Sequence, residues 1–226
     1  MYLFRDPVSA GSHLIASLLA LVVTLFLFRI TRGSPGRRLA ATLFGACATF
    51  LYAASGLFHT LQLPQEELRV YAKLDMSAIY LMIAASCTPI AGILLRGRFR
   101  LAMLVGEWVF AVSGIVTLWV FPKPVHSVMV GLYMGMGSLG LLGIWHYWRA
   151  TGWRGLLWAT AGAAFYIAGA VFELTQWPTV WPGVVESHEV MHICDVAGTL
   201  CHLVFIVRYV LPYRSPLPAA DSTAAA

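Results

Sequence analysis

The chain has 226 residues, of which 59% are hydrophobic and 11% charged, and its mean hydropathy is +0.76. A soluble domain carries about 25% charged residues, so this composition excludes a globule that water surrounds on all sides. The net charge of +5 comes from basic residues in short connections, without the interleaved aromatic residues of a nucleic-acid-binding surface. We therefore expect an integral membrane protein whose partners are membrane lipids and which binds no nucleic acid.

Seven apolar runs follow one another along the chain, each near the length of about 20 residues that a membrane-spanning helix requires. The connections between them are short, which favours antiparallel neighbours in one bundle. The predicted fold is all-α, a seven-transmembrane-helix bundle over residues 1–211, followed by a disordered tail rich in Pro, Ala and Ser at 212–226. The runs cover approximately residues 12–30, 39–61, 74–95, 101–121, 126–147, 154–173 and 187–211.

Basic residues are distributed unevenly between the two ends of such a bundle. The N-terminal side holds four of the 15 Lys and Arg residues, and the other side holds eleven. Positively charged connections remain in the cytoplasm, so we predict a multi-pass protein of the cell inner (plasma) membrane with its N-terminus outside and its C-terminus in the cytoplasm. The eleven are Arg29, Arg32, Arg37, Arg38, Arg96, Arg98, Arg100, Arg149, Arg154, Arg208 and Arg214.

Three histidines and one aspartate fall at the same end of the predicted bundle. His59 ends the second run, Asp75 begins the third, and His188 and His192 begin the last. Residues four apart on a helix differ by about 40° in direction and about 6 Å in height, so two imidazoles at this spacing can bind one ion. Three neutral imidazoles leave the fourth position of zinc open, as in catalytic sites. We predict a zinc site formed by His59, His188 and His192.

The catalytic residues predicted beside the zinc are Asp75 and Ser55. Zinc lowers the pKa of a bound water towards 7, and a nearby carboxylate can take the proton and pass it to a leaving group. Asp75 suits this role because a carboxylate that does not ligate the metal leaves the ion accessible. Ser55 lies one turn before His59 on the same helical face, where its hydroxyl can orient a ligand or the water.

Three further polar residues are expected to surround the ligands. Asp195 and His202 share the helical face of His188, because offsets of 7 and 14 residues return nearly to the same direction. His13 begins the first run at the same end of the bundle. Since polar groups in a membrane usually face the protein interior or a cavity, the pattern predicts a polar chamber that opens outward.

Glycines recur along the fifth run, at Gly131, Gly135, Gly137, Gly140 and Gly143. Small residues at such spacings let two membrane helices approach closely. We therefore predict that the fifth run packs tightly against a neighbouring helix.

Several segments together resemble the hemolysin III family, the bacterial branch of the progestin and adipoQ receptor family. The resemblance covers nearly the whole chain and implies a seven-helix fold with zinc near one membrane face, bound by His59, His188 and His192, with Asp75 and Ser55 in the site. It also implies kinship with eukaryotic proteins linked to ceramide hydrolysis. Asp195 departs from the family pattern, which has an apolar residue there. The segments are Arg5-Asp-Pro-Val-Ser-Ala-Gly-Ser-His13, Tyr52-Ala-Ala-Ser-Gly-Leu-Phe-His59, Leu74-Asp-Met-Ser-Ala-Ile-Tyr80, Thr88-Pro-Ile90, Tyr166-Ile-Ala-Gly-Ala-Val-Phe172 and His188-Glu-Val-Met-His192.

Three functions are compatible with this set of residues. The first is a zinc-dependent hydrolase of a lipid amide or ester, favoured by the open metal position. The second is a hemolysin III-type pore, channel or receptor in which zinc is structural. The third is an intramembrane metalloprotease, because residues 188–192 match H-E-x-x-H, with Glu189 as the base. In such proteases the third ligand follows the motif, whereas His59 precedes it, so we favour the lipid hydrolase.

Overall fold

The computed structural model of the chain describes residues 4–121 and 126–214, with the backbone alone at residues 126 and 127. These ranges are almost entirely helical, and the one β feature in them is an isolated antiparallel bridge between Trp181 and Val185. The predicted all-α class is therefore confirmed. The α-helices are α1 Pro7–Ile30, α2 Pro35–Thr60, α3 Gln65–Leu94, α4 Gly97–Val120, α5 His126–Leu139, α6 Ile144–Thr175 and α7 Ser187–Phe205. A 3-10 turn, Gly140–Gly143, joins α5 to α6, and a π-helical turn, Ile206–Val210, extends α7.

Six segments of the described chain are long and apolar enough to cross a membrane, by length and composition. Five of them are α1 to α4 and α7 with its π-helical turn, and the sixth runs for 48 residues from Val128 to Thr175. The count of seven predicted from the sequence is thus not reproduced by this measure. The reason is that the backbone stays helical between the fifth and sixth predicted runs except at Gly152, whose φ is +68°.

Local sequence sets several helix boundaries. Pro7 and Pro35 stand in the first turn of α1 and α2, where the missing N–H would have no intrahelical partner. Gly33 and Gly97 have φ of +93° and +55°, a backbone region that favours glycine, and they turn the chain after α1 and at the first residue of α4. The outward faces of the helices carry exposed Leu, Val, Phe and Trp side chains, as a surface in contact with lipid requires.

The starts of α1, α3 and α7 and the ends of α2, α4 and α6 meet at one end of the bundle, which we call the site end. There the backbone N–H of Asp6 donates to the carbonyl of His59 at 3.1 Å. At the opposite end, the Arg37 guanidinium on α2 donates to the carbonyls of Leu211 and, at 2.6 Å, Tyr213. Arg37 therefore holds the beginning of the predicted tail, whose residues from 215 onward lie outside the described ranges.

A cavity of about 470 Å³ lies between the helices and is mostly apolar. Its lining on α3 extends from Ala72 to Ile90, which corresponds to about 27 Å along a helix axis. Asp75 and His188 line it at the site end, and Glu107 of α4 lines it farther along the bundle. The cavity therefore extends over most of the thickness of a membrane, whose hydrocarbon core is about 30 Å.

The glycines of α5 do not form the packing surface predicted from the sequence. A Cβ at Gly131, Gly135, Gly137 or Gly140 would meet no described atom within 4 Å. Gly137 and Gly140 line the cavity. The prediction of close packing is wrong at these four positions, because the helix borders empty space there instead of another backbone.

Candidate metal centre

Three imidazole rings converge at the site end. The Nε2 atom of His192 lies 3.1 Å from the Nε2 atoms of both His59 and His188, and those two are 3.4 Å apart. His59 comes from the last turn of α2, and the other two come from the first two turns of α7. The three nitrogens face a common point, and together they could hold a metal ion.

In two of these rings, the Nδ1 atom lies within hydrogen-bond distance of a carboxylate oxygen. His59 Nδ1 lies 2.7 Å from Asp6 Oδ2, and His188 Nδ1 lies 3.0 Å from Glu173 Oε2. An ionised carboxylate can only accept, so each Nδ1 carries the proton and each Nε2 of a neutral ring presents its lone pair. The lone pairs of His59 and His188 then face each other and His192, an arrangement that a cation between them would stabilise.

Asp6 is an ionised group at the edge of the site. Burial opposes its charge, but hydrogen bonds to His59 and Arg5 outweigh that effect and lower the pKa of the Asp6 carboxyl below its ordinary value. The Arg5 guanidinium lies 3.0 Å from Asp6 Oδ2 and 4.2 Å from the centre of the Phe58 ring. The segment before α1 thus covers the end of α2 and holds a negative charge beside His59.

The three clustered histidines are shielded to different extents. His59 and His192 are 2% and 5% exposed, whereas His188 is half-buried and lines the cavity. His13, predicted near the ligands, packs its ring edge-on against His192 with 4.2 Å between ring centres. The centre is therefore closed on the α1 side and accessible from the cavity.

Asp75 and Ser55 line the same cavity as His188 and His192. Asp75 is half-buried, and its carboxyl interacts with Ser55 and His188. The Ser55 hydroxyl is buried and makes no hydrogen bond of normal geometry to a described residue. The structure thus places a carboxyl and a hydroxyl beside the histidines, on the side that the cavity leaves open.

Asp195 and His202 lie deeper along α7. Asp195 lines the cavity near Asp75, Tyr52 and Tyr166. His202 is ten residues beyond His192, about 15 Å along the helix, and its ring contacts Tyr166. Of the three residues expected to surround the ligands, His13 touches a ligand ring, Asp195 faces the cavity below them, and His202 stands apart.

A buried hydrogen-bond chain joins three helices beneath the centre. The Tyr52 hydroxyl donates to Thr199 Oγ1 at 2.7 Å, and the Tyr166 hydroxyl lies 2.8 Å from the same oxygen. These residues belong to α2, α7 and α6, respectively. These hydrogen bonds hold α2 and α7, which carry the three clustered histidines, in a fixed position relative to each other and to α6.

Sequence reasoning placed Glu173 among the polar groups at this end of the bundle but paired it with no histidine, and it assigned no role to Asp6 or Glu107. Asp6 stands immediately before α1 and Glu173 near the end of α6, both at the end of the bundle that carries the histidines. That shared position was the available signal. Glu107 is 1% exposed, and its Oε2 has no hydrogen-bond partner among the described residues. A carboxyl in the middle of an apolar run was the signal there.

The fold and the histidine cluster define a helical membrane protein with a centre suited to a metal ion. The chain belongs to the haemolysin-III related family, whose model matches residues 1–203. It is 29% identical over 210 residues to Hemolysin-3 of Bacillus cereus, covering 93% of this chain and 92% of that protein. It is 26% identical over 222 residues to the Hemolysin-3 homolog of Bacillus subtilis (strain 168), covering 95% and 100%. The Heptahelical transmembrane protein ADIPOR1 of Oryza sativa subsp. japonica is 26% identical over 187 residues, covering 74% and 49%.

Proposed function

We propose that His59, His188 and His192 bind zinc and that the protein is a zinc-dependent hydrolase of a lipid amide or ester. The observation that carries this proposal is the triangle of Nε2 atoms, 3.1 to 3.4 Å on each side, beside an apolar cavity that His188 and His192 line. In a tetrahedral site with Zn–N bonds of about 2.0–2.1 Å, ligand nitrogens are about 3.3–3.4 Å apart. The spacing of the three rings agrees with that requirement.

The donor set also supports zinc and an open coordination position. Three imidazole nitrogens without a thiolate are a common ligand set of catalytic zinc, which retains one position for water or substrate. Asp75 and Ser55 line the same cavity as His188 and His192, so a water or substrate held by a bound ion on that side would meet them. Bound zinc supplies Lewis acidity, which polarises a carbonyl and acidifies water.

The chain's own residues supply the proton transfers. Asp75 accepts a proton from the attacking water and returns it to the departing nitrogen or oxygen of the lipid. Ser55, whose hydroxyl has no partner of normal geometry among the described residues, donates to the water or to the carbonyl oxygen. The apolar walls exclude bulk water, which strengthens these interactions.

The cavity favours a lipid as the substrate. Its lining is predominantly apolar and includes Leu51, Ile79 and Phe205. An amide or ester with a hydrocarbon chain places its carbonyl near the histidines while its tail follows the cavity.

A comparison of Asp75→Asn with the wild type tests the hydrolase. The substitution should leave the zinc content unchanged and lower hydrolysis of a membrane-lipid extract by about 100-fold or more, the usual contribution of a positioned acid–base group. Glu66→Gln, also on α3 but exposed, is the matched control and should behave as wild type. Wild-type protein with one zinc per chain that releases no fatty acid or amine from the extract would refute the proposal.

The topology that we propose has seven crossings with the N-terminus outside. The segment from Val128 to Thr175 has 48 residues, about 72 Å of helix, which suffices for two crossings of about 30 Å. Contacts support a reversal at Gly152: Tyr133 donates to the carbonyl of Met76 near the site end, and Glu173 returns to that end. A C-terminal reporter that is active only outside the cytoplasm should remain silent, and its activity would overturn this orientation.

The length of the cavity favours a second candidate, a pore or receptor in which zinc is structural. The cavity lining extends about 27 Å along α3 and includes the buried carboxyl of Glu107. Two of the similar proteins carry the name Hemolysin-3. Steady single-channel conductance of the purified protein in a lipid bilayer, abolished by Glu107→Gln, would favour this candidate over the hydrolase.

A further inference from the structure

We propose that Asp6 and Glu173 are positioning residues of the metal centre, each accepting the Nδ1–H of one ligand histidine and thereby directing the Nε2 lone pair of that ring at the ion. The inference rests on the metal site of the proposed function and is independent of whether a lipid is hydrolysed. It concerns His59 on α2 and His188 on α7. His59 is paired with Asp6, immediately before α1, and His188 is paired with Glu173 on α6.

Asp6 holds His59 through two separate contacts. Its carboxylate lies 2.7 Å from the ring Nδ1, and its backbone N–H donates to the His59 carbonyl at 3.1 Å. The second bond satisfies a carbonyl in the last turn of α2, where no intrahelical donor remains. The ring and the end of the helix are therefore fixed by the same residue.

Arg5 strengthens this contact without competing for it. Its Nη2 atom is 3.5 Å from His59 Nδ1, at the limit of a hydrogen bond, whereas the Asp6 oxygen is 0.8 Å closer. The Arg5 Nε atom is 3.0 Å from the same Asp6 oxygen. The guanidinium thus holds the carboxylate in place, and the carboxylate holds the imidazole.

Glu173 performs the equivalent task for His188 from the end of α6. Its Oε2 atom lies 3.0 Å from His188 Nδ1, and the Glu173 side chain is 15% exposed. His188 faces the cavity and is the least buried of the three rings, so its orientation depends more on a specific partner than on packing. His192, by contrast, is 5% exposed and confined by the His13 ring.

The physical effect of each pair is to select one tautomer. A neutral imidazole has one N–H, and only the nitrogen without it can bind a metal. A carboxylate on Nδ1 keeps the proton there and raises the basicity of Nε2, as outer partners of metal-bound histidines commonly do. Without the carboxylate the ring can rotate or exchange tautomers, and metal affinity falls.

The test is a chelator competition with Zn²⁺ on full-length protein in detergent. Asp6→Ala and Glu173→Ala should each weaken Zn²⁺ binding by about 10- to 100-fold, the usual effect of removing such a partner. Asp6→Asn and Glu173→Gln retain an oxygen that accepts the Nδ1–H, so each should recover most of that loss. Glu66→Gln, an exposed carboxyl change on α3 at the same end, should bind as wild type.

A spectroscopic measurement on the wild-type sequence does not depend on how a variant folds. With ¹¹³Cd²⁺ as the probe and ¹⁵N-labelled histidine, the metal should couple to Nε2 of His59 and of His188, with a proton retained on each Nδ1. Coupling to either Nδ1 would overturn the inference, as would alanine variants that bind Zn²⁺ within twofold of wild type.

The outcomes separate this inference from the proposed function. Wild-type protein that binds no Zn²⁺ would refute both. Wild-type protein that binds Zn²⁺ while all four variants bind it equally well would refute the positioning role alone. Normal Zn²⁺ binding that is weakened in the alanine variants, without any lipid hydrolysis, would support the positioning role and refute the hydrolase.

Discussion

The Ser9 hydroxyl on α1 lies 3.0 Å from Glu189 Oε1 on α7 and donates a hydrogen bond to it. The other carboxylate oxygen of Glu189 accepts the backbone N–H of Glu186 at 3.0 Å, which caps the start of α7. Both oxygens of the glutamate in the H-E-x-x-H pattern therefore have structural partners. The base required by the metalloprotease hypothesis is instead a link between the first helix and the last.

Glu189→Gln should accordingly lower stability and leave the chemistry intact. The glutamine oxygen can still accept the Glu186 N–H, and its amide can donate to the Ser9 hydroxyl, so only the charge is lost and the cost should lie at the low end of about 0.5–2 kcal/mol for a helix cap. Thermal unfolding in detergent measures the loss, and zinc content should not change. Ser9→Ala is the control for the α1 contact alone. A folded, zinc-loaded Glu189→Gln protein devoid of hydrolytic activity would contradict this assignment and revive the protease.

Removing a ligand should abolish metal binding. His59→Ala and His192→Ala each leave two imidazoles, too few to retain zinc against a chelator, and elemental analysis should fall from one zinc per chain towards none. His146→Ala is the control, because His146 is exposed and contacts Phe99 of α4 at the opposite end. If His59→Ala kept a full equivalent of zinc, the three-histidine site would be incorrect.

Thr199→Val should destabilise the bundle without touching the metal. The change removes the oxygen that serves both Tyr52 and Tyr166, and a buried polar group left without a partner costs about 1–3 kcal/mol. Thr160→Val is a suitable control, because the Thr160 hydroxyl bonds only to carbonyls of its own helix, those of Leu156 and Leu157. Equal melting temperatures for the two variants would show that the tyrosine chain contributes little.

Gly152→Ala tests the interruption of α6. Gly152 has φ of +68° and ψ of −179°, a region open essentially to glycine alone, so a side chain there should cost about 1–3 kcal/mol. Gly106→Ala is matched to it, since Gly106 lies inside α4 and has open space at the Cβ position. That control should be neutral or slightly stabilising. A Gly152→Ala protein as stable as Gly106→Ala would mean that the backbone there is not constrained.

The ligand histidines were predictable because their positions follow from helix geometry alone. His188 and His192 share a face at the start of one helix, and His59 ends another that must run antiparallel to its neighbour. Any bundle with short connections brings such ends together. The same reasoning places Asp6 and Glu173 at this end of the bundle, but it does not say which histidine each carboxylate contacts, because that depends on how the helices are rotated about their axes.

The number of spans and the packing of α5 show a second limit of prediction from sequence. Hydropathy separated the fifth and sixth runs by a polar stretch near Arg149 and Arg154, but the backbone remains helical through most of it. The glycines predicted a close helix contact, whereas Gly137 and Gly140 border the cavity. Small residues permit either arrangement, and the shapes of neighbouring helices decide between them.

The three clustered imidazoles come from distant parts of the sequence. His59 is separated from His188 by 129 positions and from His192 by 133. The cluster is consequently incomplete until α7 has packed beside α2 in the bundle. A chain truncated before residue 188 lacks two of the three imidazoles. The three imidazoles thus join α2 to α7, two helices that lie far apart in the sequence, and an ion bound between them would hold these two helices together.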